Sequence, residues 1–145
     1  MGRSSQILGE ALEQHLTATA TLPVWIKVPT RRTTRGRAQA GSIWLDYVGC
    51  TESGLMVTGD AKVASPSSNA SASILGPSQR IHADRAMSAN ALVVVLAGWP
   101  HGDGWQLAVI PWSRVILGVR PVSCYAVRDG ETWCDAVRRY AAELG

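Results

Sequence analysis

The sequence predicts an α/β fold in one domain, residues 1–145, with a mixed central β-sheet flanked by helices. Three observations carry this expectation. Apolar residues recur at helical spacing near both ends of the chain, short apolar or alternating runs lie between them, and the two patterns interleave. A chain of 145 residues suits one domain and can bury a core without disulfides or structural metal.

In order, Ile7, Leu8, Ala11, Leu12 and Leu16 predict a helix over about 4–18. LPVWIKV (22–28) reads as a strand ended by Pro29, and TRRTTRGRAQAG (30–41) as a loop or extended hairpin. SIWLDYVG (42–49) is a second strand, CTESG (50–54) a turn and LMVTGDAKV (55–63) a third strand. The Ser/Ala-rich run 64–76 has no period and is expected to be a mobile loop. Pro77 suits the first turn of a helix reaching about Asn90. ALVVVLAGW (91–99) is continuously apolar, as a strand covered on both faces must be. PHGDG (100–104) reads as a turn and WQLAVIP (105–111) as a strand. Residues 112–128 yield no element, and Asp129 is the expected cap of a helix over 131–144.

Composition removes several classes of function. No apolar run approaches the length of a membrane span, and the first sixteen residues form an amphipathic stretch without a signal core, so a cytoplasmic protein is expected. Cys50, Cys124 and Cys134 make no CxxC pair or zinc pattern and are expected as reduced thiols. There is no phosphate-binding glycine loop, and His15 and His101 show no partner for nucleophilic chemistry.

The charge distribution says more than the net +3. From Gln14 to Leu45 there is no acid, while Lys27, Arg31, Arg32, Arg35 and Arg37 all fall there. Such a stretch suits a polyanion, though a solvated loop with incidental arginines has the same composition. The chain holds 12 Arg and only 2 Lys, so a lysine at 62 marks a position suited to a compact ammonium.

The candidate chemistry starts there. Asp60 and Lys62 lie two apart on a strand and share a face, either as a working pair or as an exposed salt pair. If the preceding strand returns as a hairpin, Asp46 comes beside Asp60. Two such carboxylates repel unless a cation lies between them or one is protonated. Oxygen ligands suit Mg²⁺, with Mn²⁺ as substitute. Glu13 could join them from the first helix, or face solvent. Gln79 and His82, three apart on the middle helix, could order a water or phosphate, or be ordinary surface polarity.

The ordered set Glu13, Asp46, Asp60-Ala61-Lys62 on helix, strand and strand resembles the PD-(D/E)xK nuclease superfamily, and within it the RecU and archaeal Hjc-type Holliday-junction resolvases. Gly9-Glu10-Ala11-Leu12-Glu13 is similar to their GxxLE opening, which favours Glu13 over Glu10. Trp25-Ile26-Lys27-Val28-Pro29-Thr30 resembles the segment before the basic extension, and Asp46-Tyr47-Val48-Gly49 the D-[YF]-x-G motif. Gly59-Asp60-Ala61-Lys62 resembles the ExK strand, and Leu75 to His82 the helix that carries the site glutamine. The likeness spans about 7–118, with Asp60 in place of the usual Glu and a shorter loop at 30–41.

The resemblance implies a restriction-endonuclease-like core in a bacterial, archaeal or phage-encoded protein. It implies a homodimer that cuts four-way DNA junctions with Mg²⁺. Glu13, Asp46, Asp60 and the Ala61 carbonyl would hold the metal. Lys62 would act on the attacking water and Gln79 would support the site. Lys27, Arg31, Arg32, Arg35 and Arg37 would bind DNA. The competing expectations are a general repair or restriction-type nuclease on the same fold, and a non-catalytic nucleic-acid-binding module.

Overall fold

The computed structural model describes residues 2–28 and 45–144. Helix α1 (Gly2–Ala18) is followed by strands β1 (Val24–Lys27), β2 (Tyr47–Cys50) and β3 (Met56–Val63). Next come helix α2 (Pro77–Ser88), strands β4 (Leu92–His101) and β5 (Gly104–Pro111), short helix α3 (Trp112–Val115), strand β6 (Tyr125–Ala126) and helix α4 (Trp133–Leu144). The strands form one six-stranded sheet in sequence order. Every neighbouring pair is antiparallel except β3–β4, which is parallel. A parallel pair needs a crossover, and α2 provides it.

Helices pack on both faces of this mixed sheet. On one face Leu12 and Leu16 of α1 and Trp133 and Val137 of α4 meet Val57, Val94, Leu96 and Val109. On the other, Ala83 and Ala86 of α2 and Trp112 and Val115 of α3 meet Val93, Val95, Ala97 and Ile110. Alternate residues of β4 therefore serve opposite cores, which explains its unbroken apolar run and the burial of every residue from Leu92 to Trp99. Buried indoles need a partner for their N–H. Trp133 donates to the Leu16 carbonyl at 3.0 Å and Trp112 to Asp84 at 2.7 Å, tying α4 to α1 and α3 to α2.

Several boundaries differ from the sequence expectation. Among the described residues β2 begins only at Tyr47, and positions 29–44, including the expected basic loop, lie outside them. The stretch 64–76 is not featureless. Ala70 pairs with Val119, Ala72–Ile74 makes a 3-10 turn and Leu75 is buried, so tertiary anchors replace the missing period. The expected five-residue turn after Trp99 shrinks to Gly102-Asp103, because Gly102 takes φ 57 and closes a tight hairpin between His101 and Gly104. Helix α2 stops at Ser88, and Asn90 turns the chain at φ 67. The last helix starts at Trp133, not 131. Its start is fixed by Asp135, which accepts from the Thr132 N–H at 2.9 Å, rather than by Asp129. The unread stretch 112–128 holds α3, a 3-10 turn at Pro121–Ser123 and β6. No described helix is long and apolar enough to cross a membrane.

Candidate active site

The β2–β3 hairpin sets the centre of the site. Its register pairs Tyr47 with Gly59, so Asp46 stands beside Asp60 at the same end of the sheet. The Asp46 N–H donates to Asp60 Oδ1 at 2.7 Å, and the Asp46 carbonyl accepts from the Val28 N–H at 2.7 Å. Two glycines let the strands close up. A Cβ on Gly49 would lie 2.1 Å from the Val24 carbonyl oxygen and 2.9 Å from the Trp25 ring, and one on Gly59 would lie 2.5 Å from the Val94 oxygen. With Gly49 bare, Trp25 stacks on Tyr47, ring centroids 5.1 Å apart and 5° from parallel.

Helix α2 closes the site from above the sheet. Gln79 is its third residue, and its Oε1 accepts from the Gly76 N–H at 3.1 Å, half of a capping box. That bond sets the amide, so Nε2 is the atom that reaches the sheet, donating to Asp60 Oδ2 at 2.7 Å. Lys62 Nζ stands 3.5 Å from the same oxygen. Asp60 is 0% exposed, yet it accepts from a backbone N–H and a side-chain amide and faces an ammonium. Such partners are what allow a carboxylate to stay out of water.

Helix α1 brings the third acid. Leu12 and Leu16 are buried against the sheet, and Glu13 between them turns to its flank. Its Oε2 pairs with Lys27 Nζ at 2.9 Å. The electrostatics show that the acids share one region. Burial, then the charge of Asp60 and further that of Glu13, push the Asp46 carboxyl up to about 6, against the pull of Lys62 and Lys27. Burial and the charges of Glu13, Asp46 and Asp60 likewise hold the Tyr47 hydroxyl protonated.

The donor set is one of carboxylate oxygens, whose mutual repulsion a hard cation would relieve as well as a proton does. Among the described residues no three His, Cys, Asp or Glu side chains are already gathered around one point for an ion. The bonding explains this. Glu13 is turned to Lys27, and Asp60 is engaged by Asp46, Gln79 and Lys62. Cation binding would thus have to compete with Lys27 for Glu13.

No protein-family model and no curated protein matches this chain.

Of the expected site residues, Asp46, Asp60, Lys62 and Gln79 come together around one end of β3, while Glu13 is held by Lys27 and reaches the group only through its charge on Asp46. Lys27, expected on the DNA-binding stretch, enters the same region as the partner of Glu13. The Ala61 side chain packs into the core on the opposite, α1 face. Arg31, Arg32, Arg35 and Arg37 lie outside the described residues. His82, expected on the face of Gln79, lines a separate cleft with Leu55, Met56 and Arg85, where burial and the Arg85 charge lower its pKa. His15 and His101 both line another cleft, of about 370 Å³, together with Trp105 and Glu131. Sequence reasoning missed the Lys27–Glu13 pair, which carries no spacing signal of its own.

Proposed function

We propose that this chain is a metal-dependent DNA endonuclease that acts, as a homodimer, on four-way junctions. The observation that supports it best is the arrangement around buried Asp60. The Asp46 N–H just before β2, Lys62 of β3 and Gln79 of α2 all meet that one carboxylate, in the chain order that the nuclease resemblance implies. The basic composition of the sequence from Lys27 to Arg37 gives a second support, since such residues suit phosphates.

Glu13, Asp46 and Asp60, with the Ala61 carbonyl, would hold Mg²⁺, which supplies a polarised phosphoryl oxygen and a more acidic water. The chain's own residues have separate tasks. Gln79 fixes the orientation of Asp60. Lys62 offers an ammonium that can orient the attacking water and offset negative charge growing on the phosphoryl oxygens. In the hydrolysis the water oxygen bonds to phosphorus, the bond from phosphorus to one sugar oxygen breaks, and that oxygen leaves with a proton. One chain offers one such site. A junction needs two nicks on opposing strands, and two-fold pairing of the chain would provide them.

The test is a gel assay of a four-way junction against a matched linear duplex, with and without Mg²⁺. Paired symmetric nicks in the junction, only with the metal, are expected. Linear duplex cut as fast as junction would leave a general nuclease on the same site. DNA bound but never cut under any divalent metal would leave a binding module.

A further inference from the structure

Arg80 is out of place as a structural residue. It follows Gln79 in the first turns of α2, and its Nε is buried without a hydrogen-bond partner among the described residues. No carboxylate among the described residues pairs with it. The natural helical partner would be Asp84, four residues on, but that carboxylate accepts from the Trp112 indole at 2.7 Å. A guanidinium is always charged and cannot shed a proton to escape a poorly solvated place. Leaving one of its donors buried and unmade is costly, so such an arrangement persists where a partner arrives from outside.

Its place in the helix suggests which partner: Arg80 follows Gln79, whose amide meets Asp60, in the first turns of α2, and helical side chains lean toward the helix N-terminus. An anion brought to the Asp46–Asp60–Lys62 cluster arrives at that end. The guanidinium fork matches two oxygens of a phosphate, which a lone ammonium does not. We infer that Arg80 is a substrate-binding residue of this site, gripping the non-bridging oxygens of the phosphodiester under attack or of its immediate neighbour. This assignment rests on the proposed nuclease activity. It divides the cations of the site into two tasks: Lys62 serves the reacting atoms beside Asp60, and Arg80 holds the strand.

Arg80→Met keeps the aliphatic stem and removes the unsatisfied group, and Arg80→Lys keeps the charge without the fork. Three readouts are needed: kcat/KM for cleavage with Mg²⁺, the salt dependence of DNA binding in Ca²⁺, and thermal unfolding without DNA. For Arg80→Met a loss of about 10–100-fold in kcat/KM is expected, the scale of one charged phosphate contact. The log–log salt slope should fall by about one unit. Unfolding should occur at the wild-type temperature or above it, since nothing in the free protein is lost. Arg80→Lys should recover part of the binding and less of the cleavage. Wild-type cleavage and an unchanged salt slope in Arg80→Met would overturn the assignment while leaving the nuclease reading intact. A large drop in unfolding temperature, with normal activity per folded molecule, would make Arg80 structural and overturn it too. If the wild-type chain itself neither binds nor cuts any DNA form, the nuclease reading fails first and this assignment with it.

Discussion

Two charge-rich regions of this molecule treat their ions in opposite ways. Around α4 both arginines find acidic complements. Arg138 reaches Glu52 at 2.8 Å, Asp135 at 3.0 Å and the Thr21 carbonyl at 2.8 Å. Arg139 reaches Glu131 at 3.0 Å and the Ala126 carbonyl at 2.8 Å. These pairs hold the last helix to the turns beside it; Glu52 ionises more readily for its pair with Arg138, and Glu131 for the Arg128 N–H first and for Arg139 after it. Around β3 the acids crowd instead. Asp60 is wholly buried, Asp46 is pushed up to about 6, and Glu13 depends on a lysine from the edge strand. A fold built for stability alone gains nothing by burying Asp46 where the charges of Asp60 and Glu13 raise its pKa further. The contrast separates charges that staple the structure from charges that the proposed function would put to use.

The largest effect that could break this contrast belongs to Lys62. Replacing it with Ala should lower single-turnover cleavage by about 10³-fold or more while DNA binding persists, and Lys62→Arg should fail as well, because a planar fork does not fit a point-charge site. Near-normal cleavage by Lys62→Ala would make the pair with Asp60 as idle as a surface staple.

Next in size is the basic stretch. Neutralising Arg31 and Arg32 together should weaken binding to all DNA sequences alike and reduce the log–log salt slope by about two units, one for each phosphate contact. A titration of binding against salt checks this, and an unchanged slope would take the stretch out of the DNA interface.

The Asp46 carboxyl gives a pH signature opposite in sign to that of the lowered acids beside α4. Its folded pKa of about 6 lies above the ordinary 3.8. The folded chain therefore holds the proton more firmly than the unfolded chain, and stability falls as pH rises through the window from about 4 to 6. Asp46→Asn should raise the unfolding temperature of the metal-free protein at pH 7 and leave it unchanged near pH 4. Cation affinity should run the other way, rising through pH 6 as Asp46 ionises, and this limb should vanish in Asp46→Asn. Calorimetry at the two pH values, with and without Mn²⁺, measures both signs.

The smallest effect should come from the staples. Glu52 is largely exposed, and water screens its pair with Arg138. Glu52→Ala should leave cleavage untouched and thermal unfolding scarcely moved. A loss of cleavage there would mean that α4 couples to the site.

Much of this architecture could be read from pattern alone. The helical spacing of Leu12 and Leu16, the doubly buried run from Leu92 to Trp99 and the Pro77 start of α2 are local signals, because periodicity and turn chemistry act over a few residues. Asp60 and Lys62 on one face follow from the two-residue period of a strand, and their meeting with Asp46 follows from a short hairpin. Beyond that distance the sequence is silent. It carries no mark that Gln79 would present its amide nitrogen to Asp60, that Lys27 would take Glu13, or that Asp84 would be claimed by Trp112 and leave Arg80 unpaired. The anchors of the 64–76 stretch, Ala70 on Val119 and buried Leu75, were equally hidden, since a single bridge leaves no period behind. By itself the sequence determined the order of the elements outside 112–128 and the nearness of Asp46 to Asp60 and Lys62. Only the packing of α1 and α2 onto the sheet decided which partner each acid and cation would have. Partnership of this kind depends on distances between residues far apart in the chain, and those distances are set once the two cores close.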